Sequence, residues 1–188
     1  MSRTENVTLT NMCMIYSGTK VLVQEKTDDD YSGITFPGGH VEMEPRHIDN
    51  ELTLIPYYEN YEVTLEWYQD LDLCKQVDNI DYPYTLDRLK RMYTYLSTHG
   101  DCFYIEYKSK LVGDITLKDD EISIIICKEY QNRHIGRRCV QNIIELATEK
   151  GLTQVRAEIY SFNLQSQKMF ISLGFVPFKE NWYVLELV

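Results

Sequence analysis

The sequence predicts an α/β (α+β) fold: a mixed, mainly antiparallel central sheet flanked by helices, with an N-terminal β-hairpin segment ahead of it. Three observations predict it. Runs at 102–107, 111–118 and 121–127 are rich in β-branched and aromatic residues, and the polar turns Lys108-Ser109-Lys110 and Lys118-Asp119-Asp120 separate them. Such runs read as an antiparallel meander. From Gly136 the period lengthens, with Val140, Ile143, Ile144 and Ala147 forming one apolar stripe that Gly151 ends. Alternation then returns, with Val155, Ala157 and Ile159 set against Arg156, Glu158 and Tyr160.

The other elements follow by the same reading. Residues 7–16 and 20–24 are strand-like around Ser17 and Gly18, which makes a hairpin the natural arrangement, and a polar turn follows at 27–30. Leu52 to Ile55 reads as a strand stopped by Pro56. Residues 57–69 have mixed helical periodicity, with Tyr61, Leu65 and Tyr68 on one side. Thr85 can cap a helix whose apolar residues are Leu86, Leu89, Tyr93 and Leu96. Asn163 can open another, with Ser166, Met169, Phe170 and Leu173 facing inward and Gly174 as its stop. Short strands at 175–178 and 182–187 complete a chain that divides at about 48/49 into a β-rich segment and a larger domain.

Composition narrows the function. A chain of 188 residues with 44% hydrophobic and 26% charged residues can bury a core without metal or disulfides. Its five cysteines are odd in number and form no C-x-x-C pair, so they read as small buried hydrophobes. The net charge of −10 excludes nucleic acid as a natural partner, because phosphate binding needs a basic surface. No apolar run has the length of a membrane span, and the opening MSRTENVTLT lacks signal-peptide features, so the cytoplasm is the expected compartment. One stretch runs against the acidic trend: Lys128, Arg133, Arg137 and Arg138 face the single acid Glu129. A basic loop entering a helix with a glycine at its start is an anion cradle, since first-turn N–H groups and the helix dipole favour negative charge.

That loop, Gln131-Asn132-Arg133-His134-Ile135-Gly136, resembles the pyrophosphate loop of GNAT (Gcn5-related) acetyltransferases, a Gln/Arg-x-x-Gly-x-Gly pattern between a strand and a helix. A second family signature matches downstream, in Asn163, Ser166 and Leu173-Gly174-Phe175. The resemblance spans about residues 51–188. It implies an acetyl-CoA-dependent N-acetyltransferase that uses no metal and moves an acetyl group directly to a primary amine of a small molecule or peptide. It also implies a cofactor site of Ile124, Ile126, Gln131, Asn132, Arg133, His134, Ile135, Gly136, Arg137, Asn163 and Phe170. Pantetheine would lie where the strand bearing Ile124 and Ile126 splays from its neighbour, with a backbone N–H near Ile126 steadying the developing oxyanion.

Individual residues keep two readings. Asn163 is either a helix cap or a cofactor contact. His134 replaces the loop's first glycine, and Phe170 replaces a tyrosine that protonates the departing thiolate in many members. Arg137 is the better phosphate contact of the two adjacent arginines, and Cys127 reads as packing. An ammonium of pKa ~10.4 costs roughly 4.6 kcal/mol to deprotonate at pH 7, whereas a thiol of pKa ~8.5 departs as thiolate for roughly 2 kcal/mol. The base therefore matters more than the acid. Glu121 is the candidate, with Asp120 next.

The N-terminal stretch from Ile34 to Glu42, containing Pro37-Gly38-Gly39-His40-Val41, resembles the opening of a Nudix hydrolase box. After five intervening residues from Gly39 stands Pro45, where that family has a glutamate, and Glu42 with Glu44 cannot hold magnesium alone. The segment is expected to be a truncated remnant without hydrolase activity. The functional alternative is a non-catalytic acyl-CoA-binding regulatory module, to which Phe170 points; separately, an exposed strand of the N-terminal segment could pair with a second copy as a homodimer.

Overall fold

The computed structural model describes residues 43–187 throughout, and strand backbone at 10–12, 16–17, 20–21, 24–28, 31–35 and 38–40. Two compact units divide at Met43 and Glu44. In the first, β1 (Thr10–Met12) pairs antiparallel with β6 (Gly38–His40), β2 (Tyr16–Ser17) with β3 (Lys20–Val21), and β4 (Gln24–Asp28) with β5 (Tyr31–Thr35). The hairpin anticipated around Ser17 and Gly18 corresponds to β2–β3. Cys13, Pro37, Val41 and Glu42, on which parts of the sequence reading rest, lie outside the described residues.

The second unit holds an eight-stranded sheet. Its strands are β7 (Arg46–His47), β8 (Leu52–Pro56), β9 (Asp101–Tyr107), β10 (Lys110–Lys118), β11 (Glu121–Ile126), β12 (Gln154–Glu158), β13 (Val176–Lys179) and β14 (Trp182–Glu186), in the spatial order β13-β14-β12-β11-β10-β9-β8-β7. Every neighbouring pair is antiparallel except β11 with β12. Five helices complete it: α1 (Tyr61–Trp67), α2 (Leu71–Asp78), α3 (Leu86–His99), α4 (Ile135–Glu149) and α5 (Leu164–Ile171). The mixed, mainly antiparallel sheet with flanking helices is the architecture that the sequence predicts. One helix escaped that reading. α2 begins at Asp70, whose carboxylate accepts from the N–H groups of Asp72 and Leu73, and buries Leu73 and Cys74.

Alternation along the strands sorts the core into two layers. Phe103, Ile105, Ile122, Val155 and Ala157 pack with Val140, Ile143 and Ala147 of α4 and with Phe170 of α5. Cys102, Tyr104 and Ile125 point the other way, to Trp67 and Tyr68 of the α1 segment, Cys74 of α2, and Leu89 and Tyr93 of α3. Thr85 caps α3 through its hydroxyl, which accepts from the Arg88 N–H. Gly113 lets β10 approach β11, because a Cβ there would come within 2.1 Å of the Ile125 carbonyl oxygen. The four cysteines among the described residues, Cys74, Cys102, Cys127 and Cys139, are buried and free.

The aromatic layer contains a buried acid. The carboxylate of Asp114 on β10 accepts hydrogen bonds from the Tyr68 hydroxyl at 3.1 Å and the Tyr93 hydroxyl at 2.6 Å. Tyr93 in turn stacks on Tyr57 at 4.9 Å and meets Tyr104 edge-on at 5.9 Å. Asp114 thus ties α1 and α3 to the middle of the sheet. Burial pushes its carboxyl up to about 6 against the lowering pull of the two tyrosine hydrogen bonds. A folded-state pKa above the ordinary 3.8 means that the neutral acid favours the fold. That contribution is whole below the ordinary value and is lost as pH rises through about 6. We therefore expect the stability of Asp114→Asn relative to the parent to improve on going from acid to neutral pH. The expected gain, on the order of 1–3 kcal/mol, is to be read by urea unfolding of both proteins at pH 4 and pH 7. A stability difference independent of pH would remove Asp114 from this role.

Candidate active site

The site originates in the one parallel pair of the sheet. Among the described residues, β11 and β12 are bridged at Glu121 and Arg156. Asp120, in the turn before β11, fixes this point. Its backbone carbonyl accepts from the Arg156 N–H at 2.6 Å, and its carboxylate holds the Gln154 amide at 2.7 Å and the Arg156 guanidinium. Desolvation raises the Asp120 carboxyl, but the hydrogen bonds from Arg156 and Gln154 outweigh it and hold the pKa below the usual carboxylate range. Asp120, the second candidate base in the sequence, is committed to this clamp. Past it the strands diverge, and a cleft of about 500 Å³ opens between them.

The backbone of β11 lends donors to the cleft. The Cys127 N–H donates to Val112 of the neighbouring β10 end at 2.8 Å. Since antiparallel residues alternate in the direction of their bonds, the N–H and C=O of Ile124 and Ile126 point away from β10 toward the gap. The Ile126 carbonyl accepts from the Gln131 side chain at 3.0 Å.

The far end of the cleft is formed by the turn after β11 and the start of α4. Asn132 and His134 both lie in the left-handed region, at φ 60° and 59°. The position where the motif departs from glycine thus does adopt positive φ, which asparagine and histidine tolerate better than most residues. His134 is the N-cap of α4, yet its side chain caps nothing and the first turn contains no acid. α2, α3 and α5, by contrast, are capped by Asp70, Thr85 and Asn163. The first N–H groups of α4 are therefore left for an anion, and the α4 terminus fits a pyrophosphate.

The basic island divides in two. Lys128 pairs with Asp72 at 2.6 Å, and Arg138 pairs with Asp49. Arg137 lines the cleft and reaches the Ser172 carbonyl at 3.5 Å. Arg133 lies 5.3 Å over the Tyr130 ring, and is the one member of the expected cofactor set that does not line the cleft. Ile124, Ile126, Gln131, Asn132, His134, Ile135, Gly136, Arg137, Asn163 and Phe170 all do, as does Glu121. Asn163 is occupied as a cap, its Oδ1 accepting from the Ser166 N–H at 3.2 Å. Phe170 is buried and meets Phe175 edge-on at 4.9 Å, so its ring is wall and core together.

Sequence reasoning missed several lining residues. Leu73, Gln76, Val77 and Asp78 come from the overlooked α2, whose signal was Asp70 followed by the apolar stripe Leu73, Cys74, Val77. Gln165 joins through its amide, which donates to Asn132 Oδ1 at 3.0 Å. Lys168 and Glu158 also line the cleft. Cys127 is no nucleophile in waiting, since burial pushes its thiol up to about 12. Glu121 is half-buried, and its carboxyl is raised first by desolvation and then by Glu158, against the lowering effect of Lys118 and Arg156. Among the described residues no group of three or more His, Cys, Asp or Glu side chains could hold a metal ion, and no helix is long and apolar enough to cross a membrane.

A family model described as the Acetyltransferase (GNAT) family matches residues 64–175. The chain belongs to the GNAT acetyltransferase family. Human N-acetyltransferase 8 is 23% identical over 120 residues, covering 57% of this chain and 48% of that protein. The chain thus spans about half the length of this curated relative. The fold is also that of the microcin C7 self-immunity acetyltransferase MccE, solved with acetyl-CoA and AMP, with a TM-score of 0.63, 14% identity and coverage of 74% of this chain and 94% of that one. It is shared by spermidine N-acetyltransferase from Vibrio cholerae, solved with CoA and spermine, at a TM-score of 0.61 and 15% identity, over 73% and 94% of the two chains.

Within a GNAT fold, Gly136 gives a clean test of the α4 terminus. A Cβ there would meet only the Ile124 and Ile126 side chains, at 3.8 Å, so a side chain is accommodated. An aspartate in the first turn of a helix favours the helix by about 0.3–1 kcal/mol, yet it repels an anion bound at the same N–H groups. Gly136→Asp is expected to unfold no earlier than the parent and to bind CoA at least tenfold more weakly by calorimetry. Unchanged CoA affinity in the folded variant would move the pyrophosphate site elsewhere.

Proposed function

We propose that this protein is an N-acetyltransferase that moves an acetyl group from acetyl-CoA directly to a primary amine. The observation that carries the reading is a cleft with opposite ends. One end is the uncapped α4 terminus with Arg137, suited to a pyrophosphate. The other is the half-buried Glu121, a carboxylate whose basicity burial has raised.

Acetyl-CoA, when bound, supplies an activated acyl group. Gln131, Asn132, His134, Ile135, Gly136 and Arg137 would hold its phosphates, and the wall formed by Ile124, Ile126 and Phe170 would exclude water. The N–H groups of Ile124 and Ile126 offer donors for charge developing on the acyl oxygen. Glu121 accepts one proton from the acceptor ammonium, directly or through water. The nitrogen forms its bond to the acyl carbon, the carbon–sulfur bond breaks with its electron pair left on sulfur, and the ammonium's second proton ends on the thiol. Phe170 has no proton to give, which leaves base catalysis as the step the protein must supply.

A panel of primary amines, small molecules and peptide N-termini, assayed for acetyl-CoA consumption tests the reading. At least one should be turned over, and Glu121→Gln should lower that turnover by about 10²–10⁴-fold with CoA affinity preserved. Because the base must be ionised, activity should fall as pH falls through the raised Glu121 value. Full activity of Glu121→Gln would dismiss it as the base. Tight CoA binding without turnover of any amine would instead favour an acyl-CoA-binding regulatory module, the reading that the phenyl ring at Phe170 supports.

A further inference from the structure

The two faces of the cleft are not equally open. On one, α4 and α5, the latter through Phe170, cover Ile122, Val155 and Ala157 with apolar side chains. On the other, strand alternation brings together Glu121 and Ser123 of β11 with Arg156 and Glu158 of β12. These residues are half-buried or exposed and share the face of α1–α3, beyond which the sheet presents a polar floor. On the acetyl-transfer reading, this floor is where an acceptor would approach the gap.

The floor's charges are not balanced. Lys118 pairs with Asp119 at 2.7 Å and Arg156 pairs with Asp120, so both cations are engaged. Asp78 at the end of α2 accepts from the Tyr84 hydroxyl and from Arg88 at 3.4 Å. Among the described residues, Glu121 and Glu158 have no hydrogen-bond or ion-pair partner, and both line the cleft. They are neighbours, because Glu158 stands two residues along β12 from the bridge partner of Glu121. A rise of ~3.3 Å per residue and a strand spacing of ~4.8 Å at the bridge put their Cα atoms at least roughly 8 Å apart, since the strands diverge beyond it. Tyr160, stacked on Phe162 at 5.6 Å, continues the same line, and its phenol is raised by desolvation and then by Glu158, Asp78 and Glu121.

Resting on the acetyl-transfer reading, we propose that Glu158 is the specificity residue of this site: it seats a second ammonium while Glu121 attends the reacting one, so that the preferred acceptors are short diamines. Two cations separated by three to five carbons match two carboxylates set this far apart. A monoamine leaves Glu158 without a partner. A neutral or anionic tail would face it at a cost.

The test compares 1,4-diaminobutane with n-butylamine, which differ in the second ammonium alone, using the full chain and acetyl-CoA. The parent is expected to prefer the diamine at least tenfold in kcat/KM. Glu158→Gln is expected to reduce that preference to near unity, mainly through KM. It should also shift the acid limb of the pH–rate profile to lower pH, because Glu158 no longer raises Glu121. Lys118 and Arg156, which lower Glu121, and Asp120, which raises it, are unchanged in the variant. Glu158→Asp should recover part of the preference. A parent that treats the two amines alike, or a Glu158→Gln variant that slows both equally, would overturn the proposal while leaving N-acetyl transfer intact. Silence with these two amines but turnover of others in the wider panel would overturn it too. Silence across the whole panel would remove the underlying reading with it.

Discussion

The whole site hangs on one clamp. Asp120 accepts from the backbone and guanidinium of Arg156 and from the Gln154 side chain, and so pins the start of β12 to the turn that opens β11. Parallel strands ordinarily continue side by side, each covered on both faces. Here the ladder is one bridge long, and the chain uses the freed backbone edge of β11 as part of a binding wall. Splaying two strands would leave buried N–H and C=O groups without partners, a cost of about 1–3 kcal/mol each. The protein meets part of it by turning Gln131 back onto the Ile126 carbonyl. The remaining groups face the cleft, where a ligand with amide groups of its own can satisfy them.

The cleft then acquires polarity from its two ends. In an acidic chain, half of the cations near the loop are already neutralised, Lys128 by Asp72 and Arg138 by Asp49. Attraction for an anion comes instead from backbone geometry. The left-handed turns at Asn132 and His134 aim the first N–H groups of α4 outward, and the absence of a side-chain cap leaves them available. A capping aspartate would have stabilised α4 by about 1 kcal/mol and filled the same donors. The helix forgoes that stabilisation where its neighbours α2, α3 and α5 do not.

Much of this was legible in the sequence, and the exceptions have physical causes. Local period and turn chemistry gave away the β9–β10–β11 meander, the apolar stripe of α4 and the capping roles of Thr85 and Asn163. The loop from Gln131 to Gly136 was legible because its residue types sit between elements of known kind. α2 was hidden because it is only eight residues long, and a single apolar stripe of Leu73, Cys74 and Val77 does not by itself separate a helix from a loop. The partners of Lys128, Arg138 and Asp120 were not legible at all. Each is joined to a residue more than thirty positions away, and no local pattern encodes which exposed charge will meet which. The same limit made Asp120 resemble a base when it is a clamp.

Phe170 shows how the chemistry can shift without disturbing the fold. Its ring belongs to the α4–α5 core, edge-on to Phe175, and a buried hydroxyl there would need a partner that an apolar wall does not offer. A phenyl group keeps the wall dry. On the proposed reading the proton problem then falls to Glu121 across the gap, where desolvation and Glu158 together raise the carboxyl. Thiolate departure at neutral pH costs roughly 2 kcal/mol, less than half the cost of deprotonating the ammonium. A site that works as proposed, with Glu121 as base and no acid at Phe170, keeps the group that faces the larger barrier.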